Sequence, residues 1–164
     1  MQQILSTKEI FQKINRIAFQ ILENTTEESK VYIAGICGNG LIIANYLKKL
    51  LSENSTQEFI VFEIKLNKNA PLNEKIETQI DLEKIKNSYF ILVDDVLNSG
   101  KTMQYALIKL LEIPTKAIKT VALVDRKHRR YPIKCDYVGL SLSTTLKNHV
   151  EVIYENEQFT AYLV

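Results

Sequence analysis

The chain has 164 residues, with 21 Lys and Arg against 19 Asp and Glu for a net charge of +2, so no global nucleic-acid signature is present. That length is enough for one domain, 1–164, with a hydrophobic core that needs no staples. No run approaches the ~18 apolar residues of a membrane span, the start lacks a basic-then-apolar signal pattern, and Cys37 and Cys135 have neither metal-ligand spacing nor a disulfide framework. A cytoplasmic, reduced protein with no membrane partner is expected.

In chain order, the first helix is expected from Ser6, where Glu9 completes a capping box. Ile10, Ile14, Ile17, Ala18 and Ile21 form its apolar stripe, and the polar residues from Asn24 to Lys30 end it. Val31-Tyr32-Ile33-Ala34 reads as a buried strand, followed by the glycine-rich turn Gly35-Ile36-Cys37-Gly38-Asn39-Gly40. A second helix directs Ile43, Leu47, Leu50 and Leu51 inward. Phe59 to Leu66 is a strand, and Asn67 to Lys86 is polar and long for a structureless connection, which marks a mobile or hairpin-like functional loop. Further strands are expected at Ile118–Val124, Tyr137–Leu140, Val150–Tyr154 and Phe159–Val164. Strands alternating with helices predict an α/β fold with a mainly parallel sheet flanked by helices.

The most informative stretch is Tyr89–Thr102, Y-F-I-L-V-D-D-V-L-N-S-G-K-T. Five apolar residues run into the carboxylates Asp94 and Asp95, and the polar loop Asn98-Ser99-Gly100-Lys101-Thr102 follows. Met103, Ala106, Leu107, Leu110 and Leu111 then recur at the spacing of one helix face. A buried strand, a short loop and a helix start gather at the carboxyl edge of an open sheet, where ligands bind. Free backbone N–H groups, the positive end of the helix dipole and the hydroxyls of Ser99 and Thr102 suit a phosphate dianion. Two carboxylates beside it suit the hydroxyls of a ribose, so a ribose 5-phosphate group is the natural guest. A nucleotide triphosphatase P-loop would need glycine where the chain has Asp95. A plain strand-turn-helix leaves the two adjacent like charges without a use.

This segment resembles the phosphoribosyl-pyrophosphate (PRPP) signature of the type I phosphoribosyltransferases. The run Leu123-Val124-Asp125-Arg126-Lys127-His128-Arg129-Arg130-Tyr131-Pro132-Ile133, followed by Cys135-Asp136-Tyr137-Val138-Gly139, resembles one branch, the bifunctional pyrimidine operon regulators. These are RNA-binding attenuation proteins that also act as uracil phosphoribosyltransferases. Ile4-Leu5-Ser6 and Asn15–Ile21 fit the same branch, so the likeness spans nearly the whole chain.

The resemblance implies a sheet with a small hood and a flexible loop, a homodimer, and binding of PRPP with Mg²⁺ held mainly through PRPP rather than by protein ligands. It implies transfer of the phosphoribosyl group to a nucleobase, uracil first, with RNA as a second partner. Asp94 and Asp95 would hold the ribose hydroxyls, Asn98, Ser99, Gly100, Lys101 and Thr102 the 5-phosphate, and Cys37, Gly38, Asn39 and Gly40 the pyrophosphate. Lys68 would reach the pyrophosphate from the flexible hood loop, and Asp136, Val138 and Arg126 would frame the base or ligand.

The chain departs from the branch pattern at three places. Asn39, preceded by Gly38, stands where the branch carries a basic residue. Asn67-Lys68-Asn69 stands where it carries an arginine followed by acidic residues, and Lys lacks the bidentate fork of Arg. Leu140-Ser141-Leu142-Ser143-Thr144 stands where it favours a lysine after Gly139. Blander readings stay open: a tight turn at Gly35–Gly40, Cys37 as a packed residue, Lys65 and Lys68 as solvated charges, and Val138 as a core strand residue. The basic run Arg126–Arg130 with Lys134 is a solvated loop, a ligand-site element or an RNA contact with Arg16. Histidine is a residue type suited to general-base work, which makes His128 a candidate, although the reaction does not demand one.

Overall fold

The computed structural model describes residues 1–143, 145 and 147–164; Thr144 of the Leu140–Thr144 stretch lies outside them. Helix α1 (Thr7–Asn24) starts as its sequence dictates. Ser6 accepts from the Glu9 backbone N–H, and the Glu9 carboxylate accepts from the Ser6 N–H at 2.8 Å, a closure stabilising by about 1 kcal/mol. Its buried residues are Ile10, Ile14, Ile17, Ala18 and Ile21, the predicted stripe.

Six strands form the main sheet: β2 (Lys30–Ile36), β3 (Glu58–Lys65), β4 (Glu77–Thr78), β5 (Tyr89–Leu97), β6 (Ala117–Asp125) and β7 (Tyr137–Ser141), in the order β4-β3-β2-β5-β6-β7. All pairings are parallel except β3 with β4. That antiparallel pair sets Thr78 against Ile64, so the polar segment after β3 is hairpin-like at its base. A short 3-10 turn at Leu82–Ile85 then buries two apolar side chains.

Period-two alternation divides the sheet into two cores. Val31, Ile33, Ile91, Val93, Val121 and Leu123 pack with α1 and α2 (Asn39–Glu53). Tyr32, Ala34, Phe90, Leu92 and Ala122 pack with α3 (Lys101–Leu110) and the 3-10 turn. Both faces are covered, which explains the near-continuous apolar run of β5. From β2 the chain crosses to β3 on one side, and later returns to β5 on the other. The carboxyl ends of β2 and β5 therefore flank a topological switch point, where α/β sheets open a crevice.

A second sheet stands over this edge. Strand β1 (Gln2–Leu5) pairs with β9 (Gln158–Leu163), and β9 with β8 (Val150–Glu155), all antiparallel; this is the expected small hood. Phe11, Tyr46, Tyr154 and Phe159 join it to α1 and α2 through edge-on and tilted ring contacts, the closest at 4.5 Å between Tyr154 and Phe159. Two predicted inward residues are corrected. Leu111 is 55% exposed, because α3 ends at Leu110 and the chain turns away. Leu50 is only half-buried, and the inward face is formed by Gly40, Ile43, Ala44, Leu47 and Leu51.

Candidate functional site

Strand β5 carries the site to the sheet edge. Its pleat continues through the two acidic residues, so neighbouring side chains leave on opposite faces. Asp94 follows Phe90 and Leu92 toward the α3 side, where it is 3% exposed. Asp95 follows Ile91 and Val93 toward α2 and the hood. Asp94 Oδ1 also reaches the start of α2, 3.3 Å from where a Cβ of Gly40 would stand, so the two carboxylates share one edge of the sheet.

On the first side, Lys68, Asp94, Val96, Leu97 and Asn98 through Met103 line a cleft of about 150 Å³. Lys68 Nζ lies 3.3 Å from Asp94 Oδ1, which also accepts the Asp95 N–H at 2.9 Å. Burial, followed by the charge of Asp95, pushes the Asp94 carboxyl up to about 8 despite the nearby ammonium. For Lys68, burial alone would lower the pKa, but the combined attraction of Asp94 and Asp95 raises it. The two groups are thus coupled: burial favours a proton on Asp94, while the negative charge of the two carboxylates favours the ammonium form of Lys68.

The loop between β5 and α3 is shaped by Gly100, whose φ of 86° is left-handed. A Cβ there would meet Ile133 Cγ2 at 2.3 Å, so both the backbone angle and the space require glycine. The Lys101 N–H lies within reach of Ser99 Oγ at 3.3 Å, at the positive end of α3.

The basic run wraps this loop from outside. Arg129 donates to the Ile133 carbonyl at 3.2 Å, to the Asn98 carbonyl at 3.0 Å and to Asp125 Oδ2 at 2.9 Å. The Ser99 carbonyl accepts the N–H groups of Arg130 and Tyr131 at 2.8 and 3.0 Å. Arg126 is 6% exposed and donates to Asn98 Oδ1 at 2.8 Å, with His128 Nδ1 at 3.3 Å and the carbonyls of Thr145 and Asn148 as further partners. Half of the run is thus internal bracing, which leaves Lys127, Arg130 and Lys134 exposed. Sequence reasoning missed the Arg129 brace. Its one signal was Asp125 four residues before Arg129.

On the second side, Asn39 opens α2 and donates to Asp95 Oδ2 at 3.0 Å and to the Val152 carbonyl at 2.8 Å. Gly40 lies flush on β5, where a Cβ would meet the Val93 carbonyl at 2.7 Å; this close approach brings the helix start against the carboxylates. Gly38 precedes it as the cap of α2, without a side-chain bond. Cys37 turns away: its Sγ points at the Leu66 carbonyl, and its side chain lines a separate hollow with Lys65, Glu74, Lys75 and Glu77.

The three residues assigned to the base do not converge. Val138 is level with Asp94 through Ala122, two strands away. Asp136 lies before β7, its Oδ2 accepting from the Thr120 N–H and hydroxyl, two residues back from that level. Arg126 belongs to the bracing of the Asn98–Thr102 loop. Arg16 donates to the carbonyls of Val138 and Gly139 at 2.7 and 2.8 Å, so its guanidinium is committed to β7. The described residues contain no group of three or more His, Cys, Asp or Glu that could hold a metal and no helix long and apolar enough to cross a membrane.

A parallel sheet with a phosphate-sized loop after a paired-acid strand, under a hood, defines a class. The chain belongs to the phosphoribosyl transferase domain family, whose description matches residues 1–158. It is 35% identical over 167 residues to the "Bifunctional protein PyrR" of Haemophilus ducreyi, covering 95% of this chain and 92% of that one. It is also 35% identical over 162 residues to the protein of the same name from Corynebacterium diphtheriae, covering 92% and 85%. Among solved structures, a hypoxanthine-guanine phosphoribosyltransferase of Bacillus anthracis superposes with a TM-score of 0.76 at 18% identity, over 100% of this chain and 98% of that chain. The hypoxanthine phosphoribosyltransferase of Trypanosoma cruzi gives 0.76 at 17% identity, over 98% and 95%. At those identities the likeness is one of fold.

Proposed function

We propose that this phosphoribosyltransferase, acting as one domain, binds PRPP at the carboxyl edge of β2 and β5 and transfers the phosphoribosyl group to uracil, releasing pyrophosphate. The observation that carries the reading is the shared cleft of Lys68, Asp94 and Asn98–Thr102. It sets a carboxylate and a cation beside a helix-capping loop of phosphate size. The loop N–H groups and the hydroxyls of Ser99 and Thr102 hold the 5-phosphate. Asp94 and Asp95, on either side of β5, hold the ribose hydroxyls. The Cys37 N–H is held by the Ile64 carbonyl at 2.9 Å, so Gly38, Asn39 and Gly40, at the start of α2, are the residues that offer backbone N–H groups to the pyrophosphate, and Lys68 supplies a point charge to it.

A base nitrogen attacks the anomeric carbon as the bond of that carbon to the pyrophosphate oxygen breaks; the oxygen leaves with the bonding electrons, and the proton of the base N–H passes to solvent. Positive charge that develops on the ribose is stabilised by the carboxylates, so catalysis rests on positioning and electrostatics. The donor set fits a hard cation held chiefly by PRPP oxygens, with Asp94 and Asp95 as its carboxylate neighbours. When bound, Mg²⁺ neutralises charge on the leaving group.

Of Asp136, Val138 and Arg126, Val138 is the one level with Asp94 across the sheet, and it would frame the base. Titration calorimetry with PRPP and Mg²⁺ tests the reading: binding by the wild type, lost in Asp94→Ala, supports it, and absence of wild-type binding sinks it.

The resemblance to the pyrimidine operon regulators supports a second activity, RNA binding, for which Lys127, Arg130 and Lys134 are exposed local cations. A shift of a pyrimidine-operon leader RNA that weakens steeply with salt supports it; no shift at low salt rejects it. A homodimer and a cytoplasmic setting complete the proposal, and sedimentation tests the first.

A further inference from the structure

Asn39 stands where three elements meet. It is the first residue of α2, and its amide nitrogen bonds Asp95 Oδ2 on β5 and the Val152 carbonyl on β8. One NH₂ group has two hydrogens, and both are used. Asp95 is held at its other oxygen by the Val96 N–H at 2.8 Å, so both carboxylate oxygens are fixed and their remaining lone pairs have a set direction.

A second link joins the same two elements. The hydroxyls of Tyr46 and Tyr154 lie 3.1 Å apart. Tyr46 is seven residues beyond Asn39, two turns along α2 and on the same face; Tyr154 is two residues beyond Val152 and on the same face of β8. The hood strand is therefore riveted along α2 from the carboxylates outward. A neutral amide at this position grips Asp95 without neutralising it, whereas a lysine or arginine would bring a charge.

We propose that Asn39 is a positioning residue: it aims Asp95 and seats the hood strand β8 on the α2 end of the site. That Asp95 is aimed at a ribose rests on the reading above; the seating of the hood does not. The two parts have separate readouts. In Asn39→Ala, backbone amides of the Val152–Tyr154 segment exchange with deuterium about tenfold faster in the ligand-free protein, while those of β6 keep their wild-type rates. In steady-state assays the same variant raises the KM for PRPP about tenfold and changes the KM for the base less than twofold, a split that general loosening of the fold does not produce. The near-isosteric Asn39→Asp, which sets a carboxylate against Asp95 and the Val152 carbonyl, gives larger changes in the same direction and keeps the test available if the alanine variant does not fold. Wild-type exchange in β8 overturns the seating of the hood; equal rises in both KM values, or none, overturn the aiming of Asp95. If the wild type binds no PRPP, the functional reading has failed, and the exchange data still decide the strut.

Discussion

Replacing Asp94 by Asn removes a buried acid whose charged form is disfavoured where it sits. Its carboxyl rises from an ordinary 3.8 to about 8 because it is buried and because Asp95 is adjacent. With the folded value above the unfolded one, the native state binds the extra proton between the two. The group's stabilising contribution is complete below pH 4 and is lost as pH rises toward 8. Each pH unit in that window changes stability by at most about 1.4 kcal/mol, so pH 5 to 8 spans an upper bound of about 4 kcal/mol. Relaxation of the buried site and the higher effective dielectric of real proteins reduce this to about 2 kcal/mol. Asn keeps an oxygen at Oδ1 to accept the Asp95 N–H, and Lys68, whose side chain is 38% exposed, can turn to water. Asp94→Asn should therefore raise the melting temperature of the ligand-free protein at pH 8 by roughly 4–8 °C while abolishing turnover. Thermal melts from pH 5 to 8 in urea-free buffer decide it. A variant no more stable than the wild type at pH 8, or one with the same fall in stability across the window, refutes the argument.

Three further outcomes follow from the same geometry. PRPP binding should tighten as pH rises toward 8, because the anionic Asp94 is the form that meets a ribose beside a cation; the binding curve of Asp94→Asn should be flat with pH in calorimetry. Arg129→Ala should weaken binding of ribose 5-phosphate about tenfold without loss of fold, because the Asn98 carbonyl and Asp125 lose their donor, and a double-mutant cycle with Asp125→Asn should show coupling above ~0.5 kcal/mol. Gly100→Ala should destabilise by about 1–3 kcal/mol in chemical denaturation, because its left-handed angle and the Ile133 side chain both oppose a Cβ.

Local signals carried most of the fold. The Ser6–Glu9 box and the α1 stripe were legible because both are set within one or two helical turns. The near-continuous apolar runs of β2, β5 and β6, alternating with helical segments, announced a sheet covered on both sides. Strand β1 was not legible: Gln2 and Gln3 have no apolar signature, and the strand exists because β9, about 160 residues on, supplies its partners. The phosphate loop and Asp94 were readable as one contiguous motif. The opposite aim of Asp95 followed from strand pleating, which was available but unused. The grip of Asn39 joins residues 56 and 113 positions apart, and no periodicity encodes such a pairing. The basic run stayed open for a related reason: only the fold shows that Arg126 and Arg129 meet Asn98 and Asp125 while Lys127, Arg130 and Lys134 stay exposed.

The central claim is that the cleft beside Asp94 performs phosphoribosyl transfer to uracil. The direct measurement mixes purified protein, PRPP, Mg²⁺ and uracil, and follows the nucleoside monophosphate and pyrophosphate by chromatography. The account predicts the two products in equal amounts, dependent on uracil and absent in Asp94→Asn. Pyrophosphate release that ignores the base, or no product from a protein that binds PRPP, would contradict it.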